Sequence, residues 1–260
     1  MKNKGFVWIV IVVVVGFFIV KSCSGGSDSN QVAIQEKTPV DKIVQSLSGK
    51  RNFSIVLYDM DAEGEGSSTI YKHKYEIIEP KNDTVVSEKT QWYTVSDVFF
   101  QANVNNLGME IAYKKDGKLH KEVAPAGYSN YIGNEKYGQW EQRNGNSFWA
   151  FYGQYAFMSS MFHLATYPVR RSYYDDYHGG YYGPGRSYYG GQNQYGTRSY
   201  TNTPTGKNST WSSKSASFKS NVRSRVSQSA QRTKAARTSR SASRSSSRSS
   251  YRSRSGGFGK

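Results

Sequence analysis

Residues 69–78 read TIYKHKYEII, with Tyr71, His73, Tyr75 and Ile77 alternating with Lys72, Lys74 and Glu76. Successive side chains of a strand point to opposite faces, so a period of two predicts a β-strand with one largely apolar side. Working outward, Arg51–Met60 alternates as well and puts Phe53, Ile55 and Leu57 together. Thr84–Val95 is expected to add a strand around Trp92 and Tyr93. Met109–Val123 reads as a hairpin, because Asp116-Gly117 suits a tight two-residue turn. Upstream, Thr38-Pro39-Val40-Asp41 has the form of a helix start, with Thr38 as cap, Pro39 at the first position and Asp41 near the positive end. Val40, Ile43, Val44 and Leu47 then share a face, and Gly49 is the stop. Ser96–Leu107 has no decisive period, and a short helix capped by Ser96 is one reading of it. The expected fold class is α+β: a small antiparallel sheet with one or two helices, preceded by a hydrophobic N-terminal helix and followed by a long disordered tail.

The run from Ser147, SFWAFYGQYAFMSSMFHLAT, contains no Asp, Glu, Lys or Arg. It predicts an aromatic and Met-rich helix over about 147–166 that closes the domain or lies on a membrane surface. At about 20 residues it is also long enough to span a bilayer. Gln154, Tyr152, Tyr155 and His163 make the span the weaker reading.

Charge divides the chain. From Tyr177 to Lys260 there are 16 Lys and Arg and no Asp or Glu, so the 19 basic residues before them balance all 19 acidic ones. The net charge of +16 therefore belongs to the last third. Aliphatic residues also become scarce after Val169, leaving Val222 and Val226. Low hydrophobicity with high charge predicts that such a segment stays unfolded. Residues 172–200 hold nine tyrosines among Gly, Ser, Arg and Asn, while 209–255 are mostly Ser and Arg. Both read as disordered low-complexity sequence.

Before the domain, Lys2 and Lys4 precede a charge-free run, GFVWIVIVVVVGFFIV, which ends at Lys21. Three readings fit. An uncleaved anchor needs about 20 apolar residues, and snorkelling of Lys4 and Lys21 makes up the difference. A cleaved signal has a basic start and a shorter apolar region. A lipoprotein would carry its lipid on Cys23, and Val20, Ser22 and Cys23 resemble a lipobox, although Lys21 occupies a position that is normally small or apolar. Basic residues before the run put the N-terminus in the cytoplasm and the rest outside. The expected organisation is a transmembrane anchor or signal segment at 5–23, a linker at 24–37, the α+β domain at 38–168, a Tyr/Gly-rich disordered segment at 169–208 and a Ser/Arg-rich basic tail at 209–260.

Motifs that carry chemistry are few. Asp59-Met60-Asp61-Ala62-Glu63-Gly64-Glu65 resembles the opening of a calcium loop, but its twelfth position is Ile70 where a bidentate carboxylate is required. A solvated turn between strands is the expectation. His73, His120, His163 and His178 have no metal-site spacing with one another or with Cys23, and His73 and His120 are expected at the surface of strands. A single cysteine excludes an intramolecular disulfide. No phosphate-binding glycine loop or nucleophile elbow is present, and no catalytic residue, cofactor or metal site is assigned.

The binding residues expected are those of the tail: Arg223, Arg225, Arg232, Lys234, Arg237, Arg240, Arg244, Arg248, Arg252 and Arg254. Arginine-rich segments bind polyanions through counterion release. Outside the cytoplasm the partners would be anionic envelope polymers or lipid head groups, with an unidentified protein as a further partner of the folded domain. In the cytosol they would be nucleic acid, and the Ser/Arg repeats are similar in composition to splicing-factor tails.

Several pieces together resemble the bacterial envelope protein family typified by YgiB. They are the hydrophobic leader ending near Cys23, the Ser147-Phe148-Trp149 start of the aromatic run, the Gly/Tyr-rich section, and the end of the tail in Gly256-Gly257-Phe258-Gly259. The likeness lies mainly in residues 145–260. The resemblance implies an envelope location and brings no established activity with it. The functional expectation is a non-enzymatic, membrane-anchored protein with a binding or structural role. The alternative is a nucleic-acid-associated protein that uses its Arg/Tyr-rich tail as a non-specific binder.

Overall fold

The computed structural model describes residues 38–64, 68–229 and 231. Helix α1 (Pro39–Ser46) opens with a capping box: the Thr38 hydroxyl accepts the Asp41 N–H at 3.2 Å, and the Asp41 carboxylate accepts the Thr38 N–H at 3.0 Å. There follow β1 (Phe53–Glu63), β2 (Ile70–Lys81), β3 (Thr84–Lys89) and β4 (Tyr93–Val95). Helix α2 (Asp97–Asn103) is capped by Ser96, whose hydroxyl accepts the Phe99 N–H. Then come β5 (Met109–Lys115), β6 (Lys118–His120) and β7 (Ala124–Pro125). All pairings are antiparallel in the order β3-β2-β1-β5-β6, with β4 also on β2 and β7 also on β5. Each edge is thus built from two short strands in tandem.

The expected strand over 84–95 is divided in two because Thr90 turns its hydroxyl onto the Tyr75 N–H at 3.0 Å. Strand β1 is buried on both faces, as its central place requires. Its alternation slips between Leu57 and Asp59, where a bulge shifts the register against β2. The extra residue keeps Phe53, Ile55 and Leu57 in one core with Met60 and Ala62, which are of opposite parity in sequence.

One face of the sheet carries α1, α2 and a helix over residues 216–229, around Phe53, Leu57, Phe100, Trp211, Val222 and Val226. The other carries a layer rich in tyrosine: Tyr128, Tyr131, Tyr137, Tyr155, Tyr177 and Tyr188, with Trp149 and Phe162. Glu110 of β5 ties the 127–130 loop to the sheet, accepting the Gly127 N–H at 3.0 Å and the Ser129 hydroxyl; burial pushes its carboxyl up.

Two expectations are corrected here. The aromatic run does not form a helix. It contributes β9 (Asn146–Phe151), which pairs with β8 (Gly138–Arg143), then a 3-10 turn (Gly153–Tyr155) and the five-residue α3 (Phe157–Met161). Asn144 and Gly145 hold φ of +49° and +75°, the conformation a two-residue hairpin turn requires. Among the described residues no helix is long and apolar enough to cross a membrane.

Residues 169–229 are not a disordered appendage to a domain ending at 168. They form α4 (Arg171–Asp176), a π turn (Tyr177–Tyr182), α5 (Thr197–Tyr200), α6 (Pro204–Lys207), α7 (Thr210–Ser213) and α8 (216–229). Here glycine and tyrosine act as complementary shapes. A side chain on Gly108 would meet the Tyr200 ring at 2.1 Å, and one on Gly133 would meet the Tyr174 ring at 2.2 Å. Bare backbone at these points lets the rings lie flat against the chain. Burial of each aromatic side chain supplies about 1.5–3 kcal/mol. The expected hydrophobic N-terminal helix, the expected linker at 24–37 and the residues beyond 231 lie outside the described residues.

Candidate functional site: a basic groove

The segment Tyr188–Tyr200 docks on the connection between α2 and β5. Gly190 and Gly196 have φ of +81° and +105°, and a Cβ on Gly196 would stand 2.5 Å from the Asn105 carbonyl oxygen. Thr197 fastens the contact: its N–H donates to the Asn105 carbonyl at 2.9 Å, and its hydroxyl donates to the Val104 carbonyl at 2.8 Å and accepts the Leu107 N–H at 3.0 Å. The Tyr189 hydroxyl adds a 2.8 Å bond to the Asn106 side-chain oxygen.

Beside this seam runs a groove of about 520 Å³, lined by Asn105, Tyr189, Asn193, Tyr195, Thr197, Arg198 and Arg223. Tyr189 and Tyr195 are half-buried, while Asn105, Asn193, Arg198 and Arg223 are exposed. Burial pushes both tyrosine hydroxyls up, so they stay neutral and the groove's charge is that of its arginines. No described carboxylate pairs with Arg198 or Arg223. Nearby, Lys219 has its ammonium pushed down, first by burial and then by repulsion from Arg223. Two guanidinium groups without a carboxylate partner, two amide side chains and two tyrosines thus give this groove positive charge and hydrogen-bond donors.

The chain matches no protein family, no curated protein and no solved structure. The site must therefore be read from its own chemistry.

Of the tail residues expected to bind polyanions, Arg223 lines this groove, whereas Arg225 turns its guanidinium to the Thr69 hydroxyl at 3.4 Å. Both stand on α8, not on a disordered chain. Arg232, Lys234, Arg237, Arg240, Arg244, Arg248, Arg252 and Arg254 lie outside the described residues, as do Cys23 and segment 5–23. Arg198 was not expected; the signal for it was a lone arginine beside Gly196-Thr197 in the Tyr/Gly stretch.

Other expectations change. The aspartates read as a solvated turn are buried in β1. Asp59 accepts the N–H groups of Thr210 at 2.8 Å and Trp211 at 3.3 Å, and Asp61 pairs with Lys214 at 2.8 Å. They hold the C-terminal segment to the sheet. Among the described residues no group of His, Cys, Asp and Glu is placed to hold a metal. His73 and His120 are not surface residues: His73 is fully buried and stacked on Phe100, and His120 lies parallel to Tyr113 at 4.7 Å.

Proposed function

We propose that this is a non-enzymatic envelope protein, anchored in the membrane by residues 5–23, whose domain and basic C-terminal residues bind anionic envelope polymers. The observation that carries the reading is the groove lined by the unpaired Arg198 and Arg223 together with Tyr189 and Tyr195. Helix α8 also leads from Arg223 toward the sequence that holds the eight further basic residues named from Arg232 to Arg254. The groove sets a fixed point of attachment, and the following sequence adds phosphate or carboxylate contacts without base or sugar selectivity. The envelope location is what the sequence resemblance of residues 145–260 to the YgiB-type family implies.

The test is binding of the full chain to polygalacturonate, an acidic polysaccharide, at stepped salt concentrations. The Arg198→Ala/Arg223→Ala variant should bind more weakly and lower the salt dependence of log K by about one for each arginine that contacts a charge. An unchanged slope would remove the groove from the binding surface. The second reading, nucleic-acid association, rests on the Ser/Arg composition. Protection of the C-terminal residues from protease in intact cells and spheroplasts would favour it.

A further inference from the structure

On the tyrosine-covered face, beside the bulge of β1, lies a second cavity of about 160 Å³ between the β2–β3 edge and the end of α3. It is separate from the basic groove, and the two share no lining residue. Its apolar wall is made by Val56, Ile78, Met161 and Phe162. Its polar groups are of both signs. Glu76 of β2 and Lys89 of β3 are direct cross-strand partners. Such opposed charges ordinarily close on each other.

These two do not. Among the described ion pairs none joins Glu76 to Lys89. The Lys89 ammonium instead donates to the Tyr58 hydroxyl at 2.9 Å and sits 4.2 Å above that ring. Burial pushes the Glu76 carboxyl up, opposed by Ser87 and by the Lys89 charge across the strands. Tyr58 is fixed from behind, because its carbonyl accepts the Tyr200 hydroxyl at 3.3 Å. On the far side His163 is held at φ +58°, with its ring edge-on to Tyr200 at 5.3 Å. A non-glycine residue in this conformation is uncommon, and such residues gather at ligand sites. Lys89 is exposed, so the cavity opens to solvent at the β3 edge.

We propose that this cavity binds a small zwitterion, an α-amino acid with a short aliphatic side chain. The ligand's ammonium group faces Glu76, its carboxylate faces Lys89 and the Tyr58 hydroxyl, and its side chain rests on Val56, Ile78 and Met161. A cavity of about 150 Å³ accommodates a benzene-sized molecule, which is the scale of alanine or valine. A ligand of one charge would complement only one of the two protein charges, and an uncharged ligand neither. A zwitterion completes the pair that the strands leave apart.

The test is isothermal titration of the full chain with valine, and with its two half-ligands, isobutylamine (no carboxylate) and isovalerate (no ammonium). Valine should bind at least about tenfold more tightly than either. Glu76→Gln and Lys89→Met should each remove that preference, while Arg198→Ala, in the other groove, leaves valine binding unchanged. Valine binding no tighter than both half-ligands, or giving no heat up to about 10 mM in protein with a native circular dichroism spectrum, would overturn the assignment. The half-ligand comparison needs no variant, so misfolding of a mutant does not affect the result.

Discussion

The two faces of one sheet are covered by opposite means. On one, helices α1, α2 and α8 bury aliphatic and aromatic side chains, and their backbone bonds are satisfied within each helix. On the other, the cover is mostly turns and short helical pieces, and tyrosine dominates. Irregular backbone leaves carbonyls unpaired, and a buried carbonyl without a donor is costly. Tyrosine carries a donor at the end of a large apolar body. Several hydroxyls in the C-terminal layer serve this need: Tyr155 donates to the Asp83 carbonyl at 2.9 Å, Tyr188 to Tyr173 at 3.0 Å and Tyr167 to Ser199 at 2.9 Å. The contrast teaches that a Tyr/Gly-rich sequence can form a packed layer when its hydroxyls replace the hydrogen bonds that regular structure would supply.

The largest expected effect comes from stripping both covers at once. A chain ending at residue 168 loses Tyr177 and Tyr188 from one face and Tyr200, Trp211, Val222 and Val226 from the other. It should show no cooperative urea transition by near-UV circular dichroism. A sharp transition would mean that the tyrosine layer beyond 168 is an ornament on an independent fold.

A smaller effect separates the faces by pH. Burial in the helical face pushes His73 down to about 3, with its Nε2 lacking a hydrogen-bond partner. The unfolded value is about 6.5, so the folded state binds fewer protons. The stability that neutral His73 confers is complete above about pH 6.5 and is lost progressively as pH falls toward 3. Between pH 7 and 5 this amounts to about 2 kcal/mol, and His73→Phe should abolish that share of the loss in urea titrations. An unchanged pH dependence would place the acid sensitivity elsewhere; His178 in the tyrosine face, pushed down to about 4, acts with the same sign.

The smallest effect sharpens the role of the hydroxyls. Tyr155→Phe keeps the ring and removes the donor to Asp83, and should cost about 0.5–1.5 kcal/mol by urea titration. No loss would mean that shape alone accounts for tyrosine in this layer.

Most of the sheet was legible because its strands obey local rules. The alternation of 69–78, the Thr38 cap and the Asp116-Gly117 turn each act within a few residues, and each reappears in place. The aromatic run was misread because its apolar residues are too dense to show a period. The deciding signal was the preceding Asn144-Gly145, which fixes a hairpin whose first strand, GQWEQR, is mostly polar. The order of residues 169–229 was not legible, since it depends on contacts such as Gly108 with Tyr200, which lie far apart in sequence. The same holds for the basic groove: it joins Asn105 to Arg198 and Arg223, and composition revealed only the last.

The placing of Trp211, Val222 and Val226 in the same core as Val40 and Phe53 bears on how the molecule is made. Strand β1 has one side left open until α8 has been synthesised. A nascent chain thus carries an incomplete apolar surface for most of its emergence, a condition that favours slow, high-contact-order folding and association with chaperones.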